Sequence, residues 1–221
     1  MKKLLGAVFA LSILITAFAL NTNTNSVAKQ VDSNINAIMK NIRKIQNEHS
    51  PLALSANPYD YIKDNSEFNN LVDIGPDALP IIKKRVDESG ENGLREYILA
   101  IAAEKIAKVD LKENNFGWST AKEWSDKWNT HSKNLSANFK NIIKSNKSSE
   151  AKNAEIIKLG IPALPFIIDE VEQGNTELIS ALQKLAEGNK KISFDIDSVK
   201  DYKEWAKANK KNVQNLRDLV N

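Results

Sequence analysis

The chain repeats itself with a period of 85 residues, and no other feature constrains its fold as strongly. Leu71-Val72-Asp73-Ile74-Gly75-Pro76-Asp77-Ala78-Leu79-Pro80 returns as Ile156-Ile157-Lys158-Leu159-Gly160-Ile161-Pro162-Ala163-Leu164-Pro165. The correspondence continues through Val86/Val171, Gly90/Gly174, Leu94/Leu178, Ile98/Leu182 and Ile101/Leu185. A helical pattern recurring at a fixed period is a supersecondary unit that buries its apolar face against a neighbour. The architecture follows from this; the activity does not.

Helical spacing runs along most of the chain. Asn21 to Ser26 has no apolar periodicity and reads as linker. From about Val27 to Glu48, Val31, Ile35, Ile38, Ile42 and Ile45 recur at steps of three and four, which predicts an amphipathic helix ended by Ser50-Pro51. Asn57-Pro58-Tyr59-Asp60-Tyr61 reads as a structured entry turn. The first unit opens with a short helix from Ser66 to Ile74, closed by Gly75 in a left-handed position. Asp77 is placed to cap the next helix, with Pro80 in its first turn and Leu79, Ile82 and Val86 on its buried face.

After a loop at Glu88 to Gly93, Leu94, Ile98, Ile101, Ala102 and Ile106 form the stripe of a third helix. The second unit copies this plan with Leu164, Ile167, Ile168 and Val171, a Gly174-Asn175 turn, then Leu178, Leu182 and Leu185. Each unit closes on a longer aromatic helix. The first is capped by Thr120 with Glu123 at capping-box spacing and carries Trp124, Trp128, Leu135, Phe139, Ile142 and Ile143. The second is capped by Ser198 and carries Tyr202, Trp205, Val213, Leu216 and Val220. Trp118 and Ile196, just ahead of these caps, read as hydrophobic-staple residues. No stretch sustains strand alternation, so the expected fold is all-α.

At Gly75 to Pro80 and Gly160 to Pro165 the chain resembles HEAT-repeat proteins, with the pattern G-x-x-A-L-P before an apolar helix. Asp87 and Leu94-Arg95 partly match the acid and Val-Arg element of that family, whereas Leu178-Ile179 in the second unit lacks the arginine. The resemblance covers about residues 65–108 and 150–187. With Asn57-Pro58-Tyr59-Asp60-Tyr61-Ile62 before the first unit and a Trp helix after it, the chain is also similar to secreted HEAT-like proteins of Gram-positive bacteria. The resemblance implies two HEAT-like units in a compact curved bundle, a short α-solenoid, and implies no chemistry. The expected organisation is a signal peptide or uncleaved anchor with linker over 1–28, and an amphipathic helix and connector over 29–57. A first unit with its Trp helix follows over 58–147 and a second with its aromatic helix over 148–221, the two treated as one domain.

The N-terminus carries a further signal. Met1-Lys2-Lys3 is a basic start, Leu4 to Leu20 is free of charge, and Ala17-Phe18-Ala19 or Ser26-Val27-Ala28 supplies a small-x-small cleavage pattern. The 17 residues from Leu4 to Leu20 are also just long enough for an uncleaved anchor, since a span takes about 17–25. Both readings place the rest of the chain outside the cytoplasm, extracellular or on the cell surface. There is no cysteine, so stability outside the cell must come from the core rather than from disulfides. Loss of Lys2 and Lys3 on cleavage lowers the net charge from +3 to +1, which gives no reason to propose nucleic acid as a partner. Residues 58–113 hold 12 acids against 8 bases and residues 184–221 hold 9 bases against 6 acids. The basic end reads as a solvated helical face or as a contact for anionic polymers.

Catalytic signals are sparse. His49 and His131 lie far apart, and the chain contains no H-E-x-x-H, G-x-S-x-G, P-loop or dinucleotide fingerprint. Asp169-Glu170 with Glu172 is an acidic cluster on one helix, read as a solvated face. No metal or cofactor is expected. Trp124 and Trp128 share a helix face at i, i+4, as Tyr202 and Trp205 do at i, i+3. They read either as core wedges or as an exposed aromatic surface for a carbohydrate or peptide. Tyr59 and Tyr61 read either as a cap over the first unit or as a recognition loop.

The expected function is an exported, non-catalytic interaction module that binds a protein, peptide or wall polymer through its helical-repeat surface. Membrane contact is expected only through the N-terminal segment, if uncleaved. The candidate ligand surface is Trp124, Trp128, Tyr59 and Tyr61. The alternatives are an extracellular enzyme acting on polymers, with carboxylates or His131 brought together near Trp118, Trp124 or Trp128 by the fold, and a passive spacer.

Overall fold

The computed structural model describes residues 2–112, 117–192, 194, 196, 198–217 and 219; of residues 2–23 only the backbone is described. The protein is all-helical, with no strand among the described residues. Its helices are α1 (Lys2–Asn47), α2 (Ser66–Asp73), α3 (Leu79–Glu88), α4 (Leu94–Ala107) and α5 (Ala121–Lys144). They continue with α6 (Ser149–Lys158), α7 (Leu164–Glu172), α8 (Ile179–Ala186), α9 (Tyr202–Asn209) and α10 (Gln214–Arg217).

The periodic face of α1 packs on α2, α3 and α4. Val27, Val31, Ile35, Ile38 and Ile42 are all buried, as their spacing requires, and Ile45 is half-buried. Residues 21–26, expected as linker, are helical and continue α1. The residue types that suggested a linker do not break a helix whose next turns are held by packing. Most of the expected export signal, residues 1–23, lies outside the residues whose side chains are described. Among the described residues no helix is long and apolar enough to cross a membrane. On its polar edge, α1 is tied to α3 by a two-point ion pair, Arg85 Nε to Asp32 Oδ1 at 2.8 Å and Arg85 Nη2 to Asp32 Oδ2 at 2.7 Å. The bonded guanidinium holds the Asp32 carboxyl below its ordinary value despite partial burial. Arg95 donates to Asn36 at 2.7 Å, while Asp87 pairs with Lys83 and accepts from Ser125 Oγ at 2.6 Å. Asp87 and Arg95 therefore have separate partners.

The two glycine turns have nearly the same backbone. Gly75 takes φ 79°, ψ −162° and Gly160 takes φ 80°, ψ −174°, a region open only to glycine. A 3-10 turn follows each, Pro76–Ala78 and Ile161–Ala163, and runs directly into α3 and α7. Asp77 sits inside its turn, so it does not cap α3 as expected; the Gly75 carbonyl accepts from Ala78 N–H at 3.0 Å instead. Pro80 and Pro165 fall in the first turns of α3 and α7, where no intrahelical N–H bond is lost.

Buried apolar residues form two clusters. One gathers α1 to α4 with Ala121, Trp124 and Trp128 of α5; the other gathers Leu135 and Phe139 of α5 with α6 to α10. The change from one cluster to the other falls inside α5, between Trp128 and Leu135. Thr120 caps α5 by accepting from Glu123 N–H at 3.2 Å, and Glu123 accepts from Ser119 N–H at 2.7 Å. Lys122 anchors the same end, its ammonium donating to the Val86 and Ser89 carbonyls at 2.6 and 2.8 Å and so capping the C-terminus of α3.

The second cluster departs from the expected plan at its end. Asp201, not Ser198, caps α9, accepting from Lys203 and Glu204 N–H groups at 2.9 and 3.2 Å. The expected single aromatic helix breaks at Asn209 into α9, a 3-10 turn (Lys210–Val213) and α10. Asn209 Nδ2 donates to the Trp205 carbonyl at 2.9 Å, a local bond that competes with helix continuation. Val213 and Leu216 are buried as expected; Val220 lies outside the described residues.

Candidate functional site

The tryptophan pair is in the core. Trp124 is 0% exposed and Trp128 5%, their ring centroids 5.7 Å apart. A ring buried on both faces cannot receive a sugar or peptide, so Trp124 is withdrawn from the candidate ligand surface. Trp128 keeps only an edge, at the cleft described below. The i, i+4 spacing set both rings on one face, and that face is the one turned toward α3 and α4. Tyr61 is also buried, at 7%, and its hydroxyl donates to the Ser55 carbonyl at 2.9 Å. It pins the entry turn and has no free face. Tyr59 is 40% exposed and remains available.

The acidic cluster has structural partners. Asp169 accepts from Arg217 Nη2 at 2.8 Å and lies 3.4 Å from Lys210 Nζ, which also pairs with Glu172. These bonds tie α7 to the C-terminal turns and leave no free carboxylate pair. His131 Nε2 is 3.1 Å from the Leu159 carbonyl, so its ring donates there from the Nε2–H tautomer. Burial pushes its pKa below the ordinary value, partly offset by that bond. Glu96 is buried, but it caps α4 by accepting from Gly93 N–H at 3.0 Å and from Ser89 Oγ at 3.0 Å. Among the described residues no group of three or more His, Asp or Glu side chains is placed to hold a metal ion.

Trp128 and Tyr59 each border an open site. The larger is an open cleft of about 650 Å³ between α3 and α5. Its apolar lining includes Pro80 and Trp128, and its charged lining is Lys83, Lys84, Asp87, Glu88 and Lys133, with Lys83 paired to Asp87 and Lys84 3.8 Å from Glu88. Ser132 lines it too, and its hydroxyl oxygen is shielded from solvent with no hydrogen-bond partner among the described residues. Such a buried, unpaired polar atom is uncommon in a folded protein and costs about 1–3 kcal/mol.

The smaller is an aromatic box at the connector between α4 and α5. The Lys112 ammonium lies 3.9 Å from the ring centroid of Trp118, 5.0 Å from Tyr97 and 5.3 Å from Tyr59. It donates to the Tyr97 hydroxyl at 2.7 Å and to the Tyr59 hydroxyl at 3.4 Å. Burial works against its charge, but the two hydroxyl contacts outweigh that and raise its pKa above the ordinary value. Trp118 packs on Tyr97 of α4, ring centroids 4.5 Å apart, and its Nε1–H donates to Glu104 at 2.7 Å. Burial raises the Glu104 pKa, against the opposing bonds from Trp118 and Leu111 N–H. In the sequence Tyr59 and Trp118 stand out separately, and Tyr97 and Lys112 carry no signal, because the box draws on the entry turn, α4 and the connector after α4, which only the fold brings together. No family model, curated protein or solved structure matches this chain.

Proposed function

We propose that the protein is an exported, non-catalytic interaction module that holds a protein or peptide partner in the cleft between α3 and α5. The observation that carries the reading is the make-up of that cleft. A volume of about 650 Å³, apolar lining at Pro80 and Trp128, and a charged rim of Lys83, Lys84, Asp87, Glu88 and Lys133 offer a mixed polar and apolar chain both contact area and hydrogen bonds. Export is supported by the basic start, the uncharged Leu4 to Leu20 segment and the small-x-small sites that follow. A HEAT-like relationship is supported by the matched turns at Gly75 and Gly160, each feeding a helix with proline in its first turn.

The test is site-specific photo-crosslinking in cells that produce the protein, with the photoreactive residue at Asn129 in the cleft and, as control, at Lys211. The reading predicts a discrete polypeptide adduct from position 129, absent from 211 and lost when Lys84 and Lys133 are both changed to Glu. An adduct that remains with insoluble wall material would move the partner class to a polymer. Adducts from 211 but none from 129 would overturn the cleft as the binding site.

A further inference from the structure

The Lys112 box is built as a receptor for a cation. Three aromatic faces around one ammonium, with two phenolic oxygens turned toward it, match the general way proteins recognise alkylammonium groups. We propose that Tyr59, Tyr97 and Trp118 form a binding site for an external alkylammonium group, and that Lys112 is its resident competitor. This inference does not rest on the cleft: none of the four residues lines it.

Four observations go beyond a purely structural clasp. Tyr59 is among the most exposed large apolar side chains of the described residues, so one wall of the box faces solvent. Tyr59 and Lys112 also line an open groove of about 360 Å³, so a ligand has a path to the box; the groove's other charged residues, Glu104, Asp110, Lys105 and Lys108, are of both signs. Lys112 is carried by a connector outside the helices. Its ammonium can therefore leave on its own flexible stem without unwinding a helix. The remaining walls are fixed without it, since Trp118 is held by Glu104 and by Tyr97, which is part of α4.

Because the resident is tethered, an external ammonium competes with a neighbour at high effective concentration. Its apparent affinity is lowered by the fraction of time that Lys112 occupies the box. Removing the lysine side chain should therefore reveal the site. The hydroxyl contacts suit a primary ammonium with N–H donors, while the ring faces alone can hold a quaternary one. The two sources of ligand, an amine side chain or a choline-type head group, are distinguished by the probes.

Wild type, Lys112→Ala and Lys112→Ala/Tyr97→Leu are titrated with choline chloride and with n-butylammonium chloride, each against sodium chloride at equal ionic strength. Tryptophan fluorescence reads the occupancy at Trp118. Lys112→Ala should give a saturable change with at least one of the two probes, at least about tenfold tighter than wild type, and the Tyr97→Leu background should abolish it. The probe that binds more tightly assigns the ligand class. Circular dichroism and melting confirm that each variant is folded, and Lys112→Met, which keeps the alkyl stem, replaces Lys112→Ala if the latter is not. A folded Lys112 variant that responds to neither probe beyond sodium chloride would overturn the proposal, as would equal responses with and without Tyr97.

Discussion

Gly160 lies so close to Val109 that a β-carbon added to it would stand 2.3 Å from Val109 Cγ2 and 2.5 Å from the Ala107 carbonyl oxygen. This is where the end of α4 meets the turn into α7, one of the places outside α5 where the two apolar clusters approach each other; Leu219, packed against both, is another. Lys108 works at the same joint. It ends α4 in the left-handed conformation, and its ammonium donates to the Lys184 and Glu187 carbonyls at 3.2 and 2.5 Å. The repeated turn is thus used in two ways: Gly160 is packed against backbone, whereas the space at Gly75 is bounded by the flexible side chain of Lys191 at 3.0 Å.

The two glycines should differ in what they tolerate. Both have a positive φ that strains any other residue by about 1–3 kcal/mol. Only Gly160→Ala adds a backbone collision, which costs about 1–3 kcal/mol more through overpacking. Urea denaturation should therefore rank Gly160→Ala well below Gly75→Ala in stability. Equal losses would mean that the joint yields to the extra methyl group.

Asn153 is the second sensitive point. It is buried, and its side-chain amide donates to the Ser149 and Glu177 carbonyls at 2.8 and 2.9 Å while its oxygen accepts from Ala181 N–H at 3.0 Å. It holds α6 to the start of α8. Asn153→Ala leaves buried backbone groups unpaired at about 1–3 kcal/mol each, so a loss of about 2–4 kcal/mol is expected in the same denaturation assay. A loss under about 0.5 kcal/mol, the level of an ordinary surface change, would contradict the network.

His131 gives the fold a pH dependence. Burial lowers its folded pKa beneath the ordinary value, so the unfolded chain takes up the proton first as pH falls. Stability is fully present above the unfolded pKa, about 6.5, and is lost as pH falls from there through the folded value. One proton limits this slope to about 1.4 kcal/mol per pH unit. The stability difference between wild type and His131→Gln, measured by denaturation from pH 8 to 5, should shrink in that window. A difference that stays constant with pH would show that His131 titrates alike in both states.

Much of the fold was legible because apolar spacing reports burial directly. The stripes through Val31 to Ile42, Leu79 to Val86 and Leu164 to Val171 all point inward, and the shared glycine turn stands at the entry to α3 and to α7. Caps were less legible. Asp77 and Ser198 are good capping residues in the abstract, but a 3-10 entry at Pro76 and the better-placed Asp201 carboxylate displaced them. The candidate site was legible only in part. Trp124 and Trp128 drew attention as aromatics at helical spacing, yet spacing says which residues share a face and not what covers that face. The box escaped notice because Tyr59, Tyr97, Lys112 and Trp118 are brought together only by tertiary packing.

The tryptophan pair builds the core. Trp205 is half-buried, whereas Trp118, Trp124 and Trp128 are buried, so Trp205→Phe leaves three shielded indoles. The direct measurement is the emission maximum of that variant, with acrylamide quenching. Blue-shifted emission that acrylamide quenches weakly until the protein is unfolded is expected. Red-shifted emission, readily quenched while the helical circular dichroism signal is intact, would place those rings in solvent and contradict it.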